Sequence, residues 1–192
     1  MSKMKLNGSD EYCYRPETTL IVLADTIAKK HGLDPALVCA LCEVESSWIP
    51  WAVRYEPKYR WLYNLQGGIS VDVGLYEPEE ATEAVQQKIS WGLLQIMGAV
   101  ARERGFRGWL TELCDPTVNL EWGCKHLRWM ELNADSYGIE LCADVSTVPT
   151  RLCGLPQSLA AAWNGGKARI VDGKYVNEDY VKRVVRAMVN YE

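Results

Sequence analysis

The stretch DPALVCALCEVESSWIP, residues 34–50, decides how the rest of the chain is read. Asp34 is a strong N-cap, and Pro35 suits the first helical position, where its missing N–H costs nothing. Leu37, Val38, Leu41, Cys42, Val44 and Trp48 then recur mostly at spacings of three and four, which predicts an amphipathic helix. Glu45 follows Leu41 by four residues and Val38 by seven, so it shares their apolar face. Glu43 lies about 200° away around the helix and cannot stand beside it. Ser46, Ser47 and Pro50 stop the helix, leaving Glu45 near its C-terminal end at the border of the core. Desolvation and the negative end of the helix dipole both raise a carboxyl pKa at such a place. Glu45 is therefore a candidate general acid, although taken alone it reads more simply as a half-exposed glutamate at a helix end.

Two later stretches change that balance: SWGLLQIMG at 90–98 and AAWNGG at 161–166. Glu45-Ser46, Gly92-Leu93-Leu94-Gln95 and Ala162-Trp163-Asn164, in that order, resemble the glutamate-serine, GLMQ and AYN motifs of lytic transglycosylases. The catalytic domain of that family resembles goose-type lysozyme, and the resemblance covers roughly residues 20–188. It implies a mainly α, lysozyme-like fold with a substrate cleft and an enzyme acting on the glycan strands of peptidoglycan. Most glycosidases use two carboxylates; the resemblance implies one. Glu45 would protonate the bond between N-acetylmuramic acid and N-acetylglucosamine, then act as base while the muramoyl 6-hydroxyl closes a 1,6-anhydro ring.

The same resemblance assigns substrate contacts. Gln95 and the backbone around Met97 would bind N-acetyl sugar. Trp163 stands where the family has tyrosine, keeping a stacking ring but losing the phenol. Asn164 matches the motif, and reads equally as an asparagine ending a helix before Gly165-Gly166. Tyr180-Val181 resembles the family's closing tyrosine-valine pair, which brings the Tyr180 phenol toward the cleft. Nine positions past the glutamate, where cellular members place a serine, this chain has Arg54, and Ser90 is the candidate to take over.

Residues 77–89 predict a helix starting at Pro78. The motifs flanking it stand further apart than in the shorter cellular enzymes, and the stretch resembles that of small phage-encoded transglycosylases through Thr82, Glu83, Gln87 and Ser90-Trp91-Gly92. On a continuing helix Glu83, Gln87 and Ser90 form one polar stripe, either a solvated face or a cleft wall; the second reading makes Glu83 and Ser90 substrate contacts. A goose-type muramidase would instead use Glu83, Glu56 or Asp72 to position water. A reading from another class is a non-catalytic wall-binding or virion structural protein that keeps the fold.

At 192 residues the chain is expected to form one domain spanning 1–192, its motif-bearing core at about 17–190, without a separate wall-binding domain. Hydrophobic residues make up 48% and charged ones 24%, a globular profile, and a net charge of −4 argues against nucleic-acid binding through a basic surface. Eight Trp and ten Tyr against one Phe suit either a wet groove that stacks on sugars or ordinary packing. The N-terminal residues lack an apolar signal region, and no apolar run approaches the roughly 18 residues of a membrane span. The expectation is a monomer made in a host cytoplasm, not inserted in membrane, and carried to periplasmic peptidoglycan by a holin or a virion. Seven cysteines without framework spacing read as reduced thiols, with Cys39 and Cys42 in the core. His31 and His126 are too few and too far apart for a metal centre, and neither metal nor cofactor is expected.

Further helices are predicted at 17–31 and at 98–104 (ended by Gly105), and a long one runs from the Asp115-Pro116 start to before Gly138. Two more follow at 156–163 and 178–189, after a loop at 140–154. Residues 51–74 hold either short strands or an extended lip.

Overall fold

The computed structural model describes residues 18–65, 79–141 and 154–192. Helix α1 (Thr18–Lys30) turns through Gly32 into α2 (Pro35–Ser46), with Asp34 accepting the Ala36 N–H at 2.8 Å and Pro35 opening the helix. Ala36 through Cys42 are buried without interruption. A helix apolar on one face would leave some of these exposed; here α1 lies on one side of α2 and the C-terminal helix on another, so α2 is a central core helix. It ends in two consecutive left-handed residues, Ser47 (φ 51°) and Trp48 (φ 62°), neither of them glycine. The Trp48 ring is buried, and its indole N–H donates to the Tyr191 phenol at 2.8 Å.

A small antiparallel sheet follows. Strand β1 (Val53–Tyr55) pairs with β2 (Ile89–Trp91), which pairs with β3 (Ile96–Met97). Helix α3 (Glu80–Gln87) precedes β2, and α4 (Gly98–Glu103) continues directly from β3. The helix predicted at 77–89 is thus shorter at both ends, and Pro78 lies outside the described residues. Ile89 and Trp91, β-branched and aromatic, leave the helix to pair across the sheet, so Glu83, Gln87 and Ser90 do not form one helical stripe. Both alternatives for 51–74 occur as far as the segment is described: a short strand at β1, then a strandless run to residue 65.

Helix α4 ends before Gly105, which takes a positive φ of 98°. A 3-10 turn (Leu110–Cys114) leads to α5 (Pro116–Leu132), whose N-cap Asp115 accepts the Thr117 and Val118 N–H groups. The long helix predicted to run to Gly138 breaks at Asn133, whose side-chain amide bonds the Trp129 carbonyl at 2.7 Å; α6 (Ala134–Tyr137) is a separate turn. Helix α7 (Leu155–Gly165), a hairpin of β4 (Ile170–Val171) and β5 (Lys174–Tyr175) that the sequence pattern did not disclose, and α8 (Glu178–Met188) complete the described chain, with a last 3-10 turn at Val189–Tyr191. Most of the loop predicted at 140–154 lies outside the described residues.

The architecture is mainly α with short strands. Its larger core surrounds α2 and includes Leu41, Leu94, Leu120 and Leu127; a smaller one beneath the sheet holds Trp91, Ile96, Phe106 and Leu113. Trp163 packs against both. Cys39, Cys42 and Cys124 are buried, and the four described cysteines are free thiols. Among the described residues no helix is long and apolar enough to cross a membrane, and no group of His, Cys, Asp or Glu is arranged to hold a metal.

Candidate active site

The segment from Gly92 to Gln95 forms around a buried asparagine that the sequence reading passed over. Asn119, fully buried on α5, accepts the Leu94 N–H at 2.8 Å and donates to the Trp91 and Leu113 carbonyls at 2.8 and 2.7 Å. Gly92 takes φ +66°, and a Cβ there would stand 2.3 Å from Asn119 Nδ2 and 2.4 Å from the Leu113 oxygen. The motif glycine is therefore set by left-handed backbone and close approach together. Gln95, also left-handed at φ 51°, donates its side-chain amide to the Ala52 and Gly92 carbonyls at 3.0 and 2.9 Å. That pairing ties the turn to the chain leaving α2 and leaves the Gln95 carbonyl oxygen as the polar end it can offer a ligand.

This turn forms one wall of a groove of about 1300 Å³ between the two cores. Glu45, Ser90, Gln95, Met97, Trp163 and Asn164 all line it, so six of the eight residues picked from sequence meet in one place. The sheet register accounts for part of this convergence. Arg54 pairs with Ser90, and Ser90 with Met97, which sets the three side by side across β1, β2 and β3. The Ser90 hydroxyl lies 3.1 Å from Met97 Sδ. Asn164 accepts a hydrogen bond from the Asn177 amide at 3.0 Å, which couples the end of α7 to the start of α8.

Glu45 ends its helix at the groove. The Tyr180 phenol, on buried α8 surface, donates to Glu45 Oε1 at 2.5 Å. Burial raises the Glu45 pKa; the Tyr180 hydrogen bond, the charges of Arg54 and Arg183 and the Trp163 side chain oppose that rise without cancelling it. Burial and the neighbouring carboxylate push the Tyr180 pKa far up, so the phenol keeps its proton and acts only as donor.

Two predicted contacts stand elsewhere. Tyr180 does not line the groove; its hydroxyl ends on Glu45. Glu83 is buried (3% exposed) in a bidentate ion pair with the fully buried Arg102, Nε to Oε1 at 2.8 Å and Nη2 to Oε2 at 3.0 Å. Its helix turns it to the protein interior, so the cleft-wall reading of the polar stripe holds for Ser90 and not for Glu83. Gln87 joins the pair through Glu83 Oε1 at 3.1 Å and clamps both the N–H and the carbonyl of Tyr63, at 2.6 and 3.0 Å. The stripe thus anchors the run that carries Tyr59, Trp61 and Tyr63 along the groove. Glu56 lines the groove paired to Arg54 at 2.5 Å, and Asp72 lies outside the described residues.

Sequence reasoning missed His126, Tyr137, Lys167 and Arg169 as groove residues. They come from α5, α6 and the segment after α7, and no local pattern distinguishes them from surface or core positions. The lip aromatics did carry a signal in the Trp- and Tyr-rich composition of 51–63.

A core helix thus ends in a carboxyl whose pKa burial raises, beside a groove lined with aromatic side chains. The family model described as the transglycosylase SLT domain matches residues 23–182. The chain belongs to this family, the lytic-transglycosylase branch of the lysozyme-like enzymes that act on peptidoglycan. Comparisons with curated proteins and with solved structures give no significant match.

Proposed function

We propose that the protein is a lytic transglycosylase that cleaves the β1,4 bond from N-acetylmuramic acid to N-acetylglucosamine and leaves a 1,6-anhydro end, with Glu45 as its single acid and base. The observation that carries this reading is the state of the groove acids among the described residues. Glu45 alone is both recessed and raised in pKa by burial. Glu56 is paired with Arg54, Glu103 with Arg104, and Glu83 is turned inward against Arg102. A hydrolytic enzyme with two carboxylates needs one of these free to activate water.

The chemistry follows from one carboxyl. Protonated Glu45 gives its proton to the glycosidic oxygen as the C1–O bond breaks and positive charge develops at C1. The Tyr180 hydrogen bond stabilises the carboxylate so formed. That carboxylate then takes the proton of the muramoyl 6-hydroxyl as O6 bonds C1. The proton returns to Glu45, and no water is consumed. The rings of Trp163, Tyr59 and Trp61 offer stacking faces for sugars, and Gln95 offers a hydrogen-bonding oxygen.

The spacing that places Thr82, Glu83, Gln87 and Ser90-Trp91-Gly92 before the GLLQ turn supports a phage lysis enzyme, delivered to the periplasm through a holin or with the virion. Mass spectrometry of muropeptides released from Gram-negative sacculi tests the reaction, with wild type beside Glu45→Gln. Products lighter by one water than the hydrolytic ones, lost in the variant, are expected. Reducing-end products from the wild type would replace transglycosylation by hydrolysis, and no release at all would overturn the enzyme reading.

A further inference from the structure

His126 lines the groove from α5 and has no part in the proton transfers described above. Its Nδ1 accepts a hydrogen bond from Arg104 Nε at 3.1 Å. A guanidinium offers protons and no lone pair, so Nδ1 is the bare nitrogen of the ring and the neutral imidazole carries its proton on Nε2. Arg104 is itself held: its side chain is 8% exposed, the guanidinium carbon stands 3.4 Å from the centroid of the Trp129 ring, and Nη2 reaches Glu103 Oε1 at 3.1 Å. The imidazole is stacked on Trp129 with centroids 6.2 Å apart and meets the Trp163 ring at 5.6 Å. Ring position and tautomer are both fixed.

We propose that His126 is a tautomer-locked hydrogen-bond donor of the groove, presenting Nε2–H to an uncharged oxygen acceptor, a carbonyl or hydroxyl, of the bound glycan. An uncharged acceptor fits because the cation beside the ring, Arg104, is already paired with Glu103 at 3.1 Å and the ring itself adds no charge. Protonation at Nδ1 would set a second positive charge against Arg104, and burial together with that charge lowers the His126 pKa to about 3. The ring therefore stays neutral and donates one N–H without adding a positive charge to the groove. The charged groups around it are Glu103, the last residue of α4, and Arg104 just past it; α6 contributes the Tyr137 phenol, whose ring packs edge-on against Trp129 at 5.4 Å, and α7 the uncharged Trp163. Contact with Trp163 also places the donor next to the indole that bears on Glu45.

The inference rests on the groove being a glycan site, and the test separates the two. The probe is a peptide-free hexasaccharide of alternating N-acetylglucosamine and N-acetylmuramic acid, titrated calorimetrically into Glu45→Gln protein so that it is not cleaved. Adding His126→Phe, which keeps a ring between the two tryptophans and removes the donor, should weaken binding by about 3- to 10-fold, the worth of one neutral hydrogen bond. His126→Gln, which restores an N–H, should recover most of the loss, and the affinity of the His126 protein should be flat from pH 5 to 8. Long-range nitrogen–proton NMR should show the Nε2–H tautomer without titration over that range. Unchanged affinity in His126→Phe, an Nδ1–H tautomer, or titration near pH 6.5 overturns the donor role alone. If the parent binds no hexasaccharide, the glycan-site reading fails with it.

Discussion

Replacing Arg102 with methionine probes the buried pair that α3 turns inward. The guanidinium makes four hydrogen bonds: two to Glu83, at 2.8 and 3.0 Å, one to the Phe106 carbonyl at 3.0 Å and one to the Gly108 carbonyl at 2.8 Å. Both side chains are closed to solvent, at 1% and 3% exposure, so water cannot replace what is lost. Removing one partner of such a pair costs about 3–5 kcal/mol, since the other charge stays buried without compensation. For a chain of this size each kcal/mol moves Tm by about 2–4 °C, which gives a fall of about 6–20 °C. Glu83→Leu combined with Arg102→Met removes both charges, and apolar replacement of a whole pair is often near neutral. The double variant should therefore recover at least half of the loss, short of full recovery because the Gly108 carbonyl loses its Arg102 donor, whereas the Phe106 carbonyl keeps Arg107. Thermal and urea unfolding of the four proteins closes the cycle. A single variant within about 1 kcal/mol of wild type, or a double variant as unstable as the two singles added, would refute a desolvated, coupled pair.

Tyr180→Phe removes the strongest influence holding the Glu45 pKa down, so the alkaline limb of the pH–rate profile on sacculi should move to higher pH. Activity at neutral pH should fall by roughly 10-fold or more, as expected for a hydrogen bond to a charged acceptor worth about 1.5–3 kcal/mol; an unmoved limb would show that the phenol does not act on the acid. Glu45→Gln should be the more stable protein above the ordinary carboxylate range. The folded state holds a proton there that the unfolded chain has released, so wild-type stability falls as pH rises through the raised folded value, whereas below that range the two proteins should match in Tm. Gly92→Ala should lose at least about 2 kcal/mol in urea unfolding, from the left-handed backbone and the overlap with Asn119, and a change below about 0.5 kcal/mol would mean that the turn relaxes freely.

The α2 cap, the α5 cap and the end of α4 were legible because each depends on a few neighbouring residues: Asp34-Pro35, Asp115-Pro116, Gly105. The position of Glu45 at the border of the core was legible too, because helical periodicity fixes a face. What periodicity could not tell is how many neighbours a helix has, and α2 is covered on all sides where one apolar face was expected. The stripe of Glu83, Gln87 and Ser90 shows the limit at the site. Its spacing is helical, yet strand pairing with β1 and β3 captures Ser90 and leaves Glu83 with Arg102, 19 residues away in the chain. Asn119 and His126 were silent for the same reason: each matters through a partner on another element, the turn at Gly92 for one and Arg104 for the other.

The three-stranded sheet divides its labour by parity. Arg54, Ser90 and Met97 form one row, and Val53, Trp91 and Ile96 form the next, with Trp91 and Ile96 sunk in the smaller core. Side chains on adjacent residues of a strand leave on opposite faces, and neighbouring strands stand about 4.8 Å apart, so the first row is a strip about 10 Å long laid along the groove. Its members can be exchanged as a set while the hydrophobic partners behind them keep their places. A change of ligand preference along this strip is therefore a repainting of one side of a wall whose other side bears the load, whereas shifting the register by one residue would turn Trp91 to the groove and Ser90 to the core.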